Sequence, residues 1–142
     1  MPAVSTLVPH YQQCNPGSCL PACARMVLAA LGDERSEAQL AATMGSYEFG
    51  TPASWVKRLN RLGYQVEYDT FSLAQLQTAL DRGLYPIVFV RADVLPWADF
   101  GGFHAVVLVG ILPGAVMLHD PALDCGPTRP INGILFIGLG RI

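Results

Sequence analysis

The sequence predicts an α+β fold in which a helical N-terminal half packs on a twisted antiparallel β-sheet formed by the C-terminal half. Before residue 64, apolar residues recur at helical spacing and lie between helix-capping residues and glycines. After Gly83, short runs of β-branched and aromatic residues alternate with glycine and proline. The length suits one ordinary domain, so we expect residues 1–142 to form a single unit.

The first two helices are predicted from their ends. An apolar stretch runs from Leu20 to Leu31, and Gly32 marks its end because glycine readily adopts the left-handed conformation that closes helices. Ser36, followed three residues later by Gln39, is the signature of a capping box, in which each side chain bonds the other residue's backbone. The second helix is therefore expected to start after Ser36 and to stop at Gly45.

A third helix, a strand and a fourth helix are expected before the sheet. Thr51 followed by Pro52 is typical of an N-cap and a first helical residue. Residues 64–70 alternate between aromatic or apolar and polar side chains, which is the period of a half-buried strand. Ser72 and Gln75 form a second capping-box pair and begin a short helix. The apolar face of the third helix comprises Trp55, Leu59 and Leu62, and Gly63 ends this helix.

Four apolar runs predict the remaining strands of the sheet. They are rich in β-branched and aromatic residues and are bounded by glycine and proline. The longest irregular segment, Ala92–Phe103, separates the first run from the second, and long loops often take part in recognition. The four runs are Ile87–Val90, Ala105–Val109, Val116–Leu118 and Ile134–Ile137.

Composition and charge exclude several classes of protein. Hydrophobic residues make up 51% of the chain and charged residues 14%, which indicates a globular protein and not a disordered one. The net charge is -2 with no basic cluster, so no nucleic-acid partner is expected. No apolar run is long enough to span a bilayer, and the N-terminus lacks the features of a secretory signal. We therefore expect a cytoplasmic protein that does not span a membrane.

Cys19 lies where a reactive thiol is expected, at the N-terminus of the first predicted helix. The unpaired N–H groups and the positive dipole end of a helix favour the thiolate over the thiol. The competing interpretation is a buried core cysteine. Cys23 lies on the same side of the helix and is expected to be core packing, while Cys14 and Cys125 are expected to be ordinary thiols. A zinc site is not expected, because these four cysteines include no Cys-x-x-Cys pair.

Two residues of the C-terminal half would complete a triad of cysteine, histidine and acid. His104 begins one predicted strand and Asp120 ends the next. In such a triad the imidazole pairs with the thiolate and then protonates the leaving amine, and the acid orients the imidazole. The oxyanion of the tetrahedral intermediate also needs hydrogen-bond donors. The helix N-terminus can supply one donor, and the side-chain amide of Gln13 is the candidate for a second.

Each of these assignments has an alternative. His104 could be a core histidine beside a strand, since one histidine alone is weak support for catalysis. Asp120 could serve only to form a turn ahead of Pro121. Gln12 competes with Gln13 for the oxyanion role.

The other two histidines are weaker candidates for a general base. His10 lies in an irregular N-terminal segment. His119 directly precedes Asp120, and successive side chains of a strand point to opposite faces of the sheet. We therefore expect His119 to face away from the acid of the triad.

Short segments in a characteristic order and spacing relate the chain to a known family. The segments are Gln13, Ser18-Cys19, Pro21-Ala22, Met26-Val27-Leu28, Phe103–Gly110 and Asp120-Pro121. Together they resemble the bacteriocin-processing, double-glycine leader peptidases, a family of papain-like cysteine peptidases. The resemblance spans nearly the whole chain and implies a papain-like fold. It further implies that Cys19 is the nucleophile, His104 the base and Asp120 the orienting acid, with Gln13, six residues before the cysteine, in the oxyanion hole.

The sequence departs from the family pattern beside the nucleophile. Many leader peptidases have aspartate before the cysteine and glycine after it, whereas Ser18 and Leu20 occupy these positions here. In this respect the chain is more similar to the stand-alone relatives than to those fused to an exporter. The chain has no ATP-binding motif and no membrane span, so an exporter would be a separate partner.

The sequence thus predicts a cysteine endopeptidase that needs no cofactor and acts on an extended peptide or protein. The resemblance implies a leader peptide that is cut after small residues. Two alternatives remain open, namely an acyl or peptidyl transferase with the same thioester chemistry and a catalytically silent peptide-binding domain. Aromatic residues expected along the cleft are Trp55, Trp97, Phe100 and Phe103, although the helical spacing of Trp55 favours the core.

Overall fold

The computed structural model describes residues 8–47, 50–91, 103–128 and 136–141. The helices are α1 (Cys19–Ala30), α2 (Glu37–Met44), a 3₁₀ helix (Ala53–Leu62) and α3 (Leu73–Asp81). The strands are β1 (Glu67–Asp69), β2 (Ile87–Arg91), β3 (Phe103–Leu112), β4 (Ala115–His119) and β5 (Phe136–Arg141). The predicted loop with Trp97 and Phe100 lies outside the described residues, as do Ile134 and Leu135.

The helix ends agree closely with their sequence signals. Both predicted capping boxes are present, with Ser36 and Gln39 at the start of α2 and Ser72 and Gln75 at the start of α3. In each box the serine hydroxyl accepts a hydrogen bond from the glutamine N–H, and the glutamine side chain accepts one from the serine N–H. Gly45 follows α2 in the left-handed conformation, as the C-terminal glycine of a helix should.

The third helix differs from its prediction in type and in its buried face. It is a 3₁₀ helix, and its N-cap is Pro52, because the Thr51 hydroxyl instead donates to Ser46 Oγ at 2.6 Å. A 3₁₀ helix has three residues per turn, so side chains three apart lie above one another. Val56 and Leu59 are therefore buried, while Trp55 is only half-buried.

The five strands form one antiparallel sheet in the order β1-β5-β2-β3-β4. The predicted strand at residues 64–70 is shortened to β1, although its side chains still alternate between half-buried and exposed. Strands β3 and β4 are consecutive and pair with Val107 opposite His119. This pairing places the start of β3 and the end of β4 at the same edge of the sheet.

Both faces of the sheet are covered, which explains the uninterrupted apolar runs of β2 and β3. Helix α1, helix α2 and the 3₁₀ helix pack on one face, against alternate residues such as Ile87 and Val107. Helix α3 packs on the other face through Leu76, against the intervening residues such as Val88 and Val106. Because successive strand residues point to opposite faces, both sets of side chains are buried. The helical layer with α1 brings Cys19 onto the sheet.

Candidate active site

Cys19 is the first residue of α1 and is partly exposed. The preceding residue, Ser18, occupies the N-cap position, but its side chain makes no capping hydrogen bond to the helix. The Ser18 hydroxyl instead donates to Asn15 O at 2.8 Å and accepts from Asn15 N–H at 3.0 Å. The first N–H groups of α1 are thus left without a side-chain cap, beside the thiol that they can stabilise as a thiolate.

The sheet places His104 and Asp120 next to each other. His104 is the second residue of β3, and Asp120 directly follows β4. His104 Nε2 lies 2.6 Å from Asp120 Oδ1, and both side chains are buried. His104 also forms a side-chain hydrogen bond with Cys19. Because Nε2 faces the carboxylate, the other ring nitrogen, Nδ1, is the atom that contacts the thiol.

The Asp120 carboxylate has a second bond that fixes its orientation. Oδ1 accepts the Ala122 N–H at 2.9 Å, and the Asp120 carbonyl accepts the Leu123 N–H at 3.0 Å. An aspartate that bonds the N–H two residues later is a common turn former. Asp120 therefore forms the turn before Pro121 and also meets His104, so the two interpretations of this residue are compatible.

The electrostatics of the three residues favour an ion pair between thiolate and imidazolium. Burial by itself raises the pKa of Cys19, but hydrogen bonds from His104 and from the N–H groups of Ala105 and Leu20 lower it below its ordinary value. Burial by itself lowers the pKa of His104, but its bonds to Asp120 and Cys19 outweigh burial and raise the pKa to about 9. These shifts favour a proton on the imidazole and a negative charge on the sulfur, the form in which a cysteine is nucleophilic.

The segment before Cys19 is held by a network of backbone hydrogen bonds. Gln13 N–H donates to Pro121 O at 2.7 Å. Cys14 N–H donates to both carboxylate oxygens of Glu37 at 3.1 and 3.2 Å. The Gln13 side chain donates through Nε2 to Asn15 O at 2.7 Å and to Pro16 O at 3.0 Å. Gln13 therefore lines the same cleft as Cys19, with its amide directed in this structure at the turn of its own segment.

Cys19 and His104 open into a cleft of about 1010 Å³. The Gln13–Gly17 segment lines part of this cleft, and Tyr47 and Thr51 line another part. A smaller pocket of about 360 Å³ adjoins the same two residues. Its lining is mostly apolar and comprises Leu20, Thr51, Pro52, Ala53, Tyr68, Phe89, Phe103 and Ala105. Phe103 is 68% exposed and borders both cavities, as the sequence predicted for a cleft residue.

The remaining cysteines and histidines lie elsewhere. Cys23 is fully buried in the core, as predicted, whereas Cys14 and Cys125 are exposed. His119 bonds Val8 O and His10 bonds Leu123 O, so their hydrogen bonds are not directed at Cys19. In the part of the chain that the structure describes, no three histidine, cysteine or acidic residues are grouped as metal ligands. None of the described helices is long and apolar enough to cross a membrane.

Sequence analysis missed Glu37 as part of the site. Glu37 is 6% exposed, and its carboxylate holds the backbone of Cys14. In the sequence, Glu37 follows the Ser36 cap and looks like an ordinary acidic residue of a first helical turn. No local signal shows that α2 brings it against a segment more than twenty residues earlier in the chain.

The comparisons with known proteins agree with this geometry. The sequence profile of the Peptidase_C39-like family matches residues 6–129. No curated protein matches the chain. A structure described as a C39-like peptidase from Bacillus anthracis has a TM-score of 0.72 and 14% identity, with coverage of 100% of this chain and 98% of its own. The peptidase domain of Streptococcus ComA, a bifunctional ABC transporter involved in quorum sensing, has a TM-score of 0.71 and 19% identity, with coverage of 95% and 96%. These matches confirm the predicted α+β fold and the family resemblance.

Proposed function

The chain belongs to the Peptidase_C39-like family, and from that premise we propose that it is a cysteine endopeptidase with Cys19, His104 and Asp120 as its catalytic triad. The observation that carries the proposal is the continuous contact from the thiol through the imidazole to the buried carboxylate, at the wall of a peptide-sized cleft. A histidine that only packed in the core would not need a carboxylate on one nitrogen and a thiol on the other.

The proposed reaction proceeds through a thioester. The Cys19 thiolate attacks the carbonyl carbon of the scissile peptide bond, and the carbonyl electrons move to oxygen. The His104 imidazolium gives its proton to the leaving amine as the C–N bond breaks, which leaves a thioester on Cys19. Water then attacks the thioester, His104 takes its proton, and the product acid leaves as the C–S bond breaks. Asp120 orients the imidazole and stabilises its positive charge throughout.

Two donors are proposed for the oxyanion. The first is the N–H of Cys19 at the uncapped start of α1. The second is the Gln13 amide, which would direct one Nε2 hydrogen from Asn15 O or Pro16 O to the substrate oxygen. We expect Gln13→Ala to lower kcat by about a hundredfold, the usual loss for one oxyanion donor. A kcat that is unchanged in Gln13→Ala would assign the amide a structural role only.

The proposed substrate is an extended peptide that is cut after small residues, and a leader peptide is the candidate. The family and the ComA neighbour support this class of substrate. The apolar pocket beside Cys19 would hold an apolar side chain of the bound peptide. We also propose that an exporter acts on the same substrate and that the reaction takes place in the cytoplasm.

Active-site labelling tests the triad. The purified protein is treated with a limiting amount of a peptide electrophile that ends in glycine, and peptide mapping locates the adduct. We expect selective labelling of Cys19 that His104→Ala loses, with Cys14 and Cys125 as internal controls for exposed thiols. Equal labelling of all exposed thiols would contradict an activated nucleophile and would leave the silent peptide-binding domain as the better interpretation.

A second experiment tests the substrate and separates hydrolysis from transfer. Matched peptides carry glycine, alanine, leucine or phenylalanine before the scissile bond, with and without an added amine nucleophile. We expect cleavage after glycine and alanine, with the acid as product. Cleavage only after large residues would overturn the proposed specificity, and amide products formed in preference to acid would make the chain a transferase.

A further inference from the structure

Two histidines outside the cleft face each other beside the turn that carries Asp120. The Nδ1 atoms of His10 and His119 are 3.4 Å apart, and the two rings meet edge to face. His119 is the last residue of β4 and is 2% exposed. The second nitrogen of each ring is also engaged. His10 Nε2 lies 2.7 Å from Leu123 O, and His119 Nε2 lies 2.9 Å from Val8 O.

These contacts determine where the protons of the pair reside. A carbonyl oxygen only accepts hydrogen bonds, so Nε2 of both His10 and His119 must carry a hydrogen. A neutral ring in that tautomer has only a lone pair at Nδ1. The contact between the two Nδ1 atoms is therefore a hydrogen bond only when one ring holds a second proton. The two rings are therefore hydrogen-bonded when the pair carries one positive charge, and they repel each other when both rings are charged.

Both histidines are attached to the turn that carries Asp120, the carboxylate of the proposed triad. His119 directly precedes Asp120, and His10 bonds the carbonyl of Leu123, whose N–H bonds the Asp120 carbonyl. Gly126 closes over the pair. A Cβ atom at this position would lie 2.5 Å from Nδ1 of His119 and 2.8 Å from Nδ1 of His10, so only glycine lets the backbone pass this close.

We propose that His10 and His119 are positioning residues for Asp120, and that one proton shared between their Nδ1 atoms holds the turn where the carboxylate reaches His104. The inference rests on the triad proposed above. Without the shared proton the two Nδ1 lone pairs face each other and repel, so the rings move apart and His10 no longer holds the Leu123 carbonyl in place. The carboxylate then no longer has a fixed position against the imidazole, and the positive charge on His104 is less well stabilised.

Among the described residues, the ionisable groups near the pair are bonded elsewhere, so the proton is shared between His10 and His119. Burial lowers the pKa of His119, the bond to the Val8 carbonyl opposes that effect, and the charge of His10 lowers the pKa further. Asp120 directs its carboxylate at His104. Asp124 and Cys125, in the same loop, bond to each other. Among the described residues, His10 is thus the ionisable group whose charge acts on His119.

The test measures how pH changes the alkylation of Cys19 in the full chain. Chloroacetamide is the reagent, and peptide mapping gives the rate at each cysteine. His10→Ala removes both bonds of that side chain, whereas His10→Gln keeps an amide donor for Leu123 O but cannot share a proton. Cys125→Ser, an exposed change in the same loop, is the matched control. An NMR titration of the histidines follows His119 in each variant.

We expect wild-type Cys19 to be alkylated below the ordinary pKa of a thiol, because the His104 imidazolium, which keeps its proton up to about pH 9, stabilises the thiolate. In His10→Ala the midpoint of this rate profile should move to higher pH by about one unit, because the carboxylate supports the imidazolium less and the imidazolium in turn supports the thiolate less. His10→Gln should restore part of the shift. In the same variant the pKa of His119 should rise, because the neighbouring charge is gone. Cys125→Ser should match the wild type in both measurements.

Two results would overturn the positioning role. One is a midpoint of Cys19 alkylation that is unchanged in His10→Ala, and the other is a His119 pKa that is unchanged in His10→Gln. If His10→Ala does not fold, the alkylation midpoint and the His119 titration of His10→Gln decide. A wild-type Cys19 that reacts no faster than Cys125 would instead overturn the triad itself. Failure of the triad is therefore distinguishable from failure of the positioning pair.

Discussion

The backbone N–H of Gln13 donates to the carbonyl of Pro121 at 2.7 Å. This bond joins the segment that leads to Cys19 to the turn that carries Asp120. The two residues are far apart in sequence, and both belong to short irregular segments that backbone hydrogen bonds must stabilise. As a result, a change in the position of the Asp120 turn would be transmitted to the segment beside Cys19.

The pH dependence of activity should follow the two shifted pKa values. The lowered pKa of Cys19 makes the thiolate available below the ordinary pKa of a thiol, and the raised pKa of His104 keeps the leaving-group proton in place up to about pH 9. We expect kcat/KM to form a bell whose alkaline limb lies near pH 9. Initial rates on a fluorogenic peptide measure the profile. A single rising limb with its midpoint at the ordinary thiol pKa would contradict the ion pair.

Asp120→Asn and Asp120→Ala separate the orientation of His104 from its charge. Asparagine can still accept from His104 Nε2 but has no charge, so the pKa of His104 should fall from about 9 toward 6.5 and take the alkaline limb with it. Alanine removes the acceptor as well and should lower kcat by about a hundredfold or more. Steady-state kinetics across pH compare the two variants. Equal activity of Asp120→Ala and the wild type would remove Asp120 from the mechanism.

Glu37 should matter for both stability and turnover, because it holds the Cys14 backbone. Glu37→Ala leaves the Cys14 N–H without its charged acceptor and should lower the free energy of unfolding by about 1–3 kcal/mol. The segment beside Cys19 should also shift, which lowers kcat more than it raises KM. Glu37→Gln keeps one acceptor oxygen and should lose less in both measurements.

The matched control for Glu37 is Glu34→Ala, at an exposed carboxylate whose contact is Tyr11 OH at 3.4 Å. This change should alter the free energy of unfolding by less than about 0.5 kcal/mol. Denaturant unfolding and steady-state kinetics measure all three variants. The assigned role of Glu37 is wrong if the two alanine variants behave alike.

Gly45→Ala tests how α2 is joined to the 3₁₀ helix. Gly45 has a φ of 71°, and a Cβ there would lie 2.7 Å from Arg58 Nη1, which donates to Met44 O at 2.8 Å. Alanine should therefore cost about 1–3 kcal/mol from backbone strain and displacement of the guanidinium. Gly32→Ala has similar backbone strain but no atom within 4 Å of the added Cβ, so it should cost less. Thermal unfolding that ranks the two variants in the opposite order would contradict this account.

The sequence singled out Cys19, His104 and Asp120, which the structure places together, because their signals are local. Cys19 was identified from its place at a helix N-terminus, and His104 from its place at the start of an apolar strand. Asp120 was identified as the end of the next strand, and the antiparallel pairing of β3 and β4 brings it to His104. Consecutive strands pair often, so this contact follows from chain order and strand lengths.

Other parts of the prediction failed where tertiary contacts override local preference. Thr51 is a good N-cap residue, but Ser46 competes for its hydroxyl and the cap moves to Pro52. Trp55 matches an α-helical face, yet the 3₁₀ geometry buries Val56 instead. A local sequence pattern does not show that a hydroxyl will bond another side chain instead of the helix end, because that side chain lies outside the pattern.

The sequence by itself determined the helix ends, the apolar strands and the order of Cys19, His104 and Asp120. Each of these depends on residues that are neighbours in the chain, where capping and periodicity operate. Only the tertiary structure decided that α3 covers the second face of the sheet, that Glu37 holds Cys14, and that His10 meets His119. These contacts join residues distant in sequence, and they form only when burial of apolar side chains has brought the segments together.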